Sequence, residues 1–372
     1  MVIMMKQLLH TPEGVRDIYG VEYEKRNMIE NEIGACMKRY GFRAIQTPTF
    51  EYFDIFSAER GTVSSKDMYK FFDRDGNTLV LRPDMTPAIA RCVAKYYKEE
   101  ENAIRLCYSA NTFINENDYQ GKLKEITQIG AELINEPSVE ADAEMIALTV
   151  ECMLASGLTE FQVEVGQADF FRALVEEAGL DVDETEQLRA AIIEKNTFGL
   201  EGILAGKEMK DATRKALIKL PELFGTIQML ETVKGITDNE RALKTVERLE
   251  HLYDCMKAYG YEKYITFDLG ALSKYDYYTG ITFRAYTYGT GNPIVTGGRY
   301  DSLVAQFGKQ APAIGFALCL DELMAAMMRQ GITVKEQAAC VDVEYEASSY
   351  AEAVKKAQEL REKGTCCRLV RK

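Results

Sequence analysis

Residues suited to recognising a small polar molecule gather in three short stretches. In Lys124-Glu-Ile-Thr-Gln-Ile-Gly-Ala-Glu-Leu-Ile134, strand alternation puts Lys124, Ile126, Gln128, Gly130, Glu132 and Ile134 on one face. An amide and a carboxylate then flank a glycine, which leaves room for a ligand to approach the backbone; an edge strand with a solvated polar face has the same pattern. Leu81-Arg-Pro-Asp-Met-Thr-Pro87 adds an acceptor at Asp84 and a hydroxyl at Thr86, although Asp, Thr and Pro are also ordinary helix starters. Leu272-Ser-Lys-Tyr-Asp-Tyr-Tyr-Thr-Gly-Ile-Thr-Phe283 gathers three tyrosines. As a strand it would show Tyr275, Tyr277 and Thr279 on one face and Asp276, Tyr278 and Gly280 on the other, and strand packing accounts for its tyrosines equally well. Acceptors, an amide and phenols are the groups an amino-acid pocket uses.

Several chemistries are disfavoured. Neither G-x-G-x-x-G nor G-x-x-x-x-G-K-[ST] occurs, so a nucleotide on a glycine-rich helix start has no support. Neither of the two histidines, His10 and His251, reads as part of a ligand set, so no metal site and no cofactor is expected. A net charge of −13 opposes extended phosphate-backbone binding, which draws its free energy from lysines and arginines. Nine scattered cysteines suit a reducing cytosol better than a disulfide framework. No apolar run has membrane-spanning length and the first residues do not read as a signal peptide, so a cytoplasmic protein of two or three domains is expected from the 372 residues.

The elements that must position these groups follow from periodicity. A helix ending at Gly41 carries Ile29, Ile33, Cys36, Met37 and Tyr40 at helical spacing, and a strand is predicted over 44–52. Strands over 69–73 and 78–81 flank a hairpin turn, and 104–113 and 123–134 form a long antiparallel pair. A helix follows Ser138 and a strand covers 161–165; from about 168 to 259 the pattern is helical, with Leu249, Leu252, Tyr253 and Met256 as a core stripe. Strands return at 265–269, 281–286 and 313–318, a helix begins near Asp321, and the last forty residues or so read strand, helix, strand. This is an α+β plan: an antiparallel sheet flanked by helices, with a helical insertion and a short α/β C-terminal unit. The expected divisions are 1–167 and 261–330 as two parts of one domain, 168–260 as the insertion and 331–372 as the terminal unit.

Together the motifs resemble the histidyl-tRNA synthetase family and its class II catalytic fold. Thr11-Pro-Glu-Gly-Val-Arg-Asp17 resembles the opening segment, and Pro48 the motif 1 proline of the dimer interface. Leu81-Arg-Pro-Asp-Met-Thr86 resembles the histidine-contacting turn, and Gln128-Ile-Gly-Ala-Glu132 the end of motif 2. Asp276-Tyr-Tyr-Thr-Gly280 and Gly297-Gly-Arg-Tyr-Asp301 resemble the histidine-specific signatures, and Ile314-Gly-Phe-Ala-Leu318 the start of motif 3. The resemblance implies that Asp84, Thr86 and Gln128 meet the α-ammonium of histidine and that Glu132 and Tyr278 address its imidazole, with Tyr277 beside them. Lys124 stands where the synthetases carry arginine and is the expected partner of the carboxylate; Arg299 is expected to be structural.

Three departures set the functional expectation. Ile114 replaces the motif 2 arginine that holds the α-phosphate of ATP, Ser273 the arginine used in adenylate formation, and Glu322 the motif 3 arginine. At ~1.5–3 kcal/mol per charge-assisted contact, roughly 5–9 kcal/mol of stabilisation is forfeited. The chain therefore resembles the non-catalytic branch of the family, the regulatory subunits of ATP phosphoribosyltransferase. That resemblance implies no catalytic residue and a short-form catalytic partner in the first step of histidine biosynthesis; the alternatives are a stand-alone histidine-binding sensor and a divergent histidyl-tRNA synthetase, the latter disfavoured by Ile114, Ser273 and Glu322 together. It further implies a hetero-octamer, a self-dimer through the motif 1 region and histidine as effector; tRNA and membrane are not expected partners.

Overall fold

In a computed structural model, which describes residues 9–56, 63–116, 122–272, 277–334 and 340–372, the chain opens on helix α1 (Gly20–Arg39). The helix stops where periodicity places its end: Gly41 adopts φ +80°, and the Gly41 and Phe42 amides donate to the Lys38 and Met37 carbonyls. Strands β1 (Arg43–Ala44), β2 (Phe50–Tyr52), β3 (Lys70–Phe72) and β4 (Thr78–Leu81) follow, then helix α2 (Thr86–Tyr96), β5 (Ile104–Phe113) and β6 (Glu125–Ile134). Ser138 accepts from the Ala141 amide to cap α3 (Val139–Ala155), which leads to β7 (Gln162–Gln167). The helical stretch comprises α4 (Ala168–Ala178), α5 (Val182–Ile193), α6 (Thr197–Leu204), α7 (Asp211–Lys219), α8 (Gln228–Lys234) and α9 (Glu240–Tyr259), interrupted by the short strand β8 (Phe224–Gly225). Strands β9 (Ile265–Asp268), β10 (Ile281–Tyr286), β11 (Val295–Arg299) and β12 (Ala313–Cys319) precede α10 (Leu320–Arg329).

Nine of these strands form one sheet, ordered β1-β5-β6-β12-β11-β10-β7-β9-β8. All neighbours are antiparallel except β1 with β5 and β7 with β9. Helix α3 packs on β12, and α9 packs on α3 and α4. Of the predicted stripe, Leu249, Leu252 and Met256 are fully buried as core positions should be, while Tyr253 is half-buried. A separate sheet, β2-β4-β3, has its β3–β4 turn tied by Asp73, whose Oδ1 accepts from the Asp75 and Asn77 amides.

The chain divides into two compact units, residues up to Asp17 with Ile29–Thr333 and Ile18–Met28 with Val334–Lys372. Within the second, β13 (Val341–Tyr345) and β14 (Cys367–Arg371) pair in parallel and α11 (Tyr350–Glu362) covers them through Ala353 and Ala357 against Val343 and Cys367. Strand, helix, strand is the predicted order.

Four expectations change. The single strand over 44–52 is two, in different sheets, because the segment around Pro48 leaves one ladder before joining the next. Strand β11 was not anticipated, since Gly297-Gly298 lacks strand propensity; pairing on both sides supplies what propensity does not. The helical stretch donates β8 to the sheet edge. Tyr277 to Gly280 precede β10 and are not strand, so the predicted alternation of Tyr277 and Tyr278 fails; Ser273, Tyr275 and Asp276 lie outside the described residues.

Candidate functional site

Sheet register places the polar groups of β6 over a floor of small residues. Gln128, Gly130 and Glu132 stand opposite Cys319, Ala317 and Gly315 of β12 and beside Ala110, Tyr108 and Leu106 of β5. Directly opposed residues share a face. A methyl group at Gly315 would lie 1.5 Å from Glu132 Oε2, so the carboxyl rests on the bare backbone of β12. Gly130 does the same for Tyr108, whose ring would meet a β-carbon there at 2.4 Å. The gap that alternation offered to a ligand at Gly130 is filled by that phenol.

Glu132 is buried and accepts two hydrogen bonds, from Thr86 Oγ1 at 2.8 Å and Tyr300 Oη at 2.5 Å. Thr86 opens α2, yet its hydroxyl serves this carboxyl rather than the helix start. Burial pushes the Glu132 carboxyl up to about 8; the bonds from Tyr300 and Thr86 oppose this and the charge of Asp84 adds to it. A carboxyl raised from 4.5 binds its proton more tightly folded than unfolded. Its stabilisation is therefore complete below about pH 4.5 and is lost as pH rises through about 8. Over that window stability should fall by up to ~1.4 kcal/mol per pH unit from this group. Glu132→Gln should flatten that slope in urea melts run as a pH series; a slope unchanged from wild type would mean that Glu132 is already ionised at neutral pH.

A cavity of about 60 Å³ adjoins Glu132. Asp84, Thr86, Gln128, Glu132, Tyr277 and Tyr278 all line it. Asp84 is buried, its Oδ1 accepting from the Met85 amide at 2.7 Å. The Tyr277 ring lies 4.7 Å from Tyr278 and edge-on to Tyr300 at 5.9 Å, which makes an aromatic corner beside the carboxyl. Among the buried polar atoms of the described residues that lack a partner, two lie here: Gln128 Oε1, on the cavity wall, and Tyr108 Oη on the same sheet face. Such atoms cost about 1–3 kcal/mol each when left unmade.

Lys124 is not brought to the cavity. It immediately precedes β6, at the end where the β5–β6 pair is joined, and there its ammonium donates to Asn115 Oδ1 at 3.2 Å and its stem packs on Gly14. Of the three positions where cations were expected to be lost, Ile114 lines the cavity and Glu322 accepts from Asn292 Nδ2 at 2.9 Å, while Ser273 lies outside the described residues. Sequence reasoning missed Tyr300, which stood in the quoted Gly297-Gly-Arg-Tyr-Asp301 beside the residue that was weighed, and Tyr108, which only register reveals.

Arg299 is buried on β11 and turned toward α3, where its Nε donates to Asp142 Oδ1 at 2.8 Å. The fully buried Asp142 carboxylate also accepts from Arg248 Nε of α9 at 3.0 Å. Arg299 adds a bond to Asp301 and Arg248 adds bonds to the Pro137 and Ser138 carbonyls. The expected structural role for Arg299 takes this form.

An antiparallel sheet with these lining residues at these positions is that of a class II synthetase-like protein. The histidyl-tRNA synthetase family model matches residues 14–323. A histidyl-tRNA synthetase from Nostoc superposes with a TM-score of 0.80 at 19% identity, covering 97% of this chain and 86% of that one, a likeness of fold. A Bacillus halodurans protein described as an ATP phosphoribosyltransferase regulatory subunit/histidyl-tRNA synthetase superposes more closely: TM-score 0.87, 30% identity, 98% of this chain and 93% of that one. The ATP phosphoribosyltransferase regulatory subunit of Clostridium kluyveri is 39% identical over 95% of this chain and 91% of its own length. That of Acetivibrio thermocellus is 37% identical over 97% and 86%. The chain belongs to the family of ATP phosphoribosyltransferase regulatory subunits.

Proposed function

We propose that this chain acts as a non-catalytic regulatory subunit of ATP phosphoribosyltransferase, required by a short-form catalytic subunit and sensing histidine in the pocket over β6. The observation that carries the proposal is the selective loss at the site. Acceptors, an amide and phenols that suit an amino acid line one cavity, while by the resemblance Ile114 and Glu322 stand where the synthetases carry phosphate-binding arginines. Without those cations the charge that develops in adenylyl transfer has no counterpart. Phosphoribosyl transfer from phosphoribosyl pyrophosphate to ATP then belongs to the partner chain, in a hetero-octamer whose regulatory chains pair through the region of Pro48.

In this reading Asp84, Thr86 and Gln128 accept from the histidine ammonium, and Glu132 with Tyr278 and Tyr277 takes the imidazole. The unpaired Gln128 Oε1 supports that assignment, because a bound ammonium would supply its missing donor. Lys124 is not assigned to the carboxylate in this reading, since its ammonium is engaged at Asn115. Feedback requires histidine to bind the inhibited and active assemblies with different affinity.

The test mixes purified chain with the catalytic subunit of its own organism and follows phosphoribosyl transfer, complex mass and histidine titration by calorimetry. Stimulated transfer, a stable complex and saturable histidine binding are expected. ATP–pyrophosphate exchange with histidine, run on this chain alone, should be at background; robust exchange, or a transferase indifferent to the chain, overturns the proposal.

A further inference from the structure

Two helices bring a histidine, a thiol and a carboxylate together away from the pocket. His251 and Cys255 are one turn apart on α9 and share a face. Glu140, in the first turn of α3, stands against them, with its Oε1 3.3 Å from His251 Nε2. One donor atom from each of the three lies within 4.8 Å of the others. Zinc with nitrogen, oxygen and sulfur ligands at about 2.0–2.3 Å in a tetrahedron needs donor separations of about 3.3–3.8 Å. The histidine–carboxylate edge is thus already of tetrahedral length, and the thiol, within 4.8 Å of both, has to draw in to close the set. The frame is pinned, because Arg248, one turn before His251, binds the Pro137 and Ser138 carbonyls and Asp142 at the start of α3.

We propose that Glu140, His251 and Cys255 form a binding site for a divalent metal ion of the zinc class, with the fourth position open to water. The sequence reading expected no metal because it passed over Cys255 four residues beyond His251, and because only the fold brings Glu140 from α3. Imidazole and thiolate select zinc or cobalt over magnesium or calcium. His251 and Glu140 are exposed and Cys255 is half-buried, so the ion reaches the site from solvent. Burial and the charges of Glu140 and Asp254 push the Cys255 thiol up. The ion therefore has to displace the thiol proton: one sulfur–metal bond forms, one S–H bond breaks and a proton passes to solvent, so affinity rises with pH.

The test uses the full chain, freed of metal and titrated with Co²⁺, whose thiolate charge-transfer absorption reports sulfur ligation, followed by displacement with Zn²⁺. One equivalent should bind with that absorption. Cys255→Ser should abolish it, and His251→Ala and Glu140→Gln should weaken binding at least about tenfold, since even outer-shell changes at metal sites cost 10–100-fold. The exposed thiols of the other unit, Cys340 and Cys366, provide the control: changing both to serine should leave the absorption unchanged. Zn²⁺ should also protect Cys255 from alkylation, read by peptide mass mapping, in a chain whose far-ultraviolet circular dichroism is that of wild type. An absorption that survives Cys255→Ser, no uptake by the wild-type chain at equimolar metal, or unprotected Cys255 overturns the proposal.

Discussion

Replacing Asp142 by alanine should destabilise the first unit by about 3–5 kcal/mol, because it removes the partner of two arginines and leaves Arg299 charged and buried. A midpoint lower by roughly 10 °C in a thermal melt is the corresponding reading. Burial holds the Asp142 carboxyl above its ordinary value although the charges of Arg299 and Arg248 pull it down, so the junction carries a desolvation cost that its pairing has to offset. Arg248→Ala should cost less, since that guanidinium is 28% exposed and water replaces part of what it loses. A loss under about 1 kcal/mol for Asp142→Ala would show that Asp301 and the Ser138 carbonyl suffice for Arg299.

Gly315→Ala should damage pocket and stability together. The added methyl would lie 1.5 Å from Glu132 Oε2 and 2.9 Å from the Ala131 carbonyl. The carboxyl cannot yield freely, because Thr86 and Tyr300 hold both its oxygens and displacing it leaves a buried acid unpaired. A cost of about 2–3 kcal/mol in denaturant melts is expected. Histidine binding, if the pocket is its site, should weaken at least about tenfold by calorimetry, since ~1.4 kcal/mol is tenfold. Wild-type affinity in a folded Gly315→Ala chain would place the histidine site elsewhere.

How far these features were legible depends on how local their cause is. The β5–β6 pair was readable because each strand shows its own alternation, and the end of α1 because Gly41 is a local stop. The face of β6 that carries Gln128 and Glu132 was legible for the same reason, and so was the lining they provide. Tyr108 was not, because a phenol opposite Gly130 depends on register across a long connection. The role of Asp142 was hidden as well. An aspartate in the first turn of a helix is ordinary, and its partners stand 106 and 157 residues away. Lys124 shows the converse error: alternation put it on the right face, but four residues along a strand span about 13 Å, and the ammonium finds Asn115.

The Asp142 junction bears on how the molecule comes apart. Its three members come from α3, from α9 at the end of the helical stretch and from β11 in the sheet. Opening the helical stretch by itself would pull Arg248 from the junction and leave Asp142 with Arg299 alone in the interior. Hydrogen exchange in α9 should therefore proceed by the same cooperative opening as in β11, with the helical stretch and the sheet behaving as one foldon despite their separation along the chain.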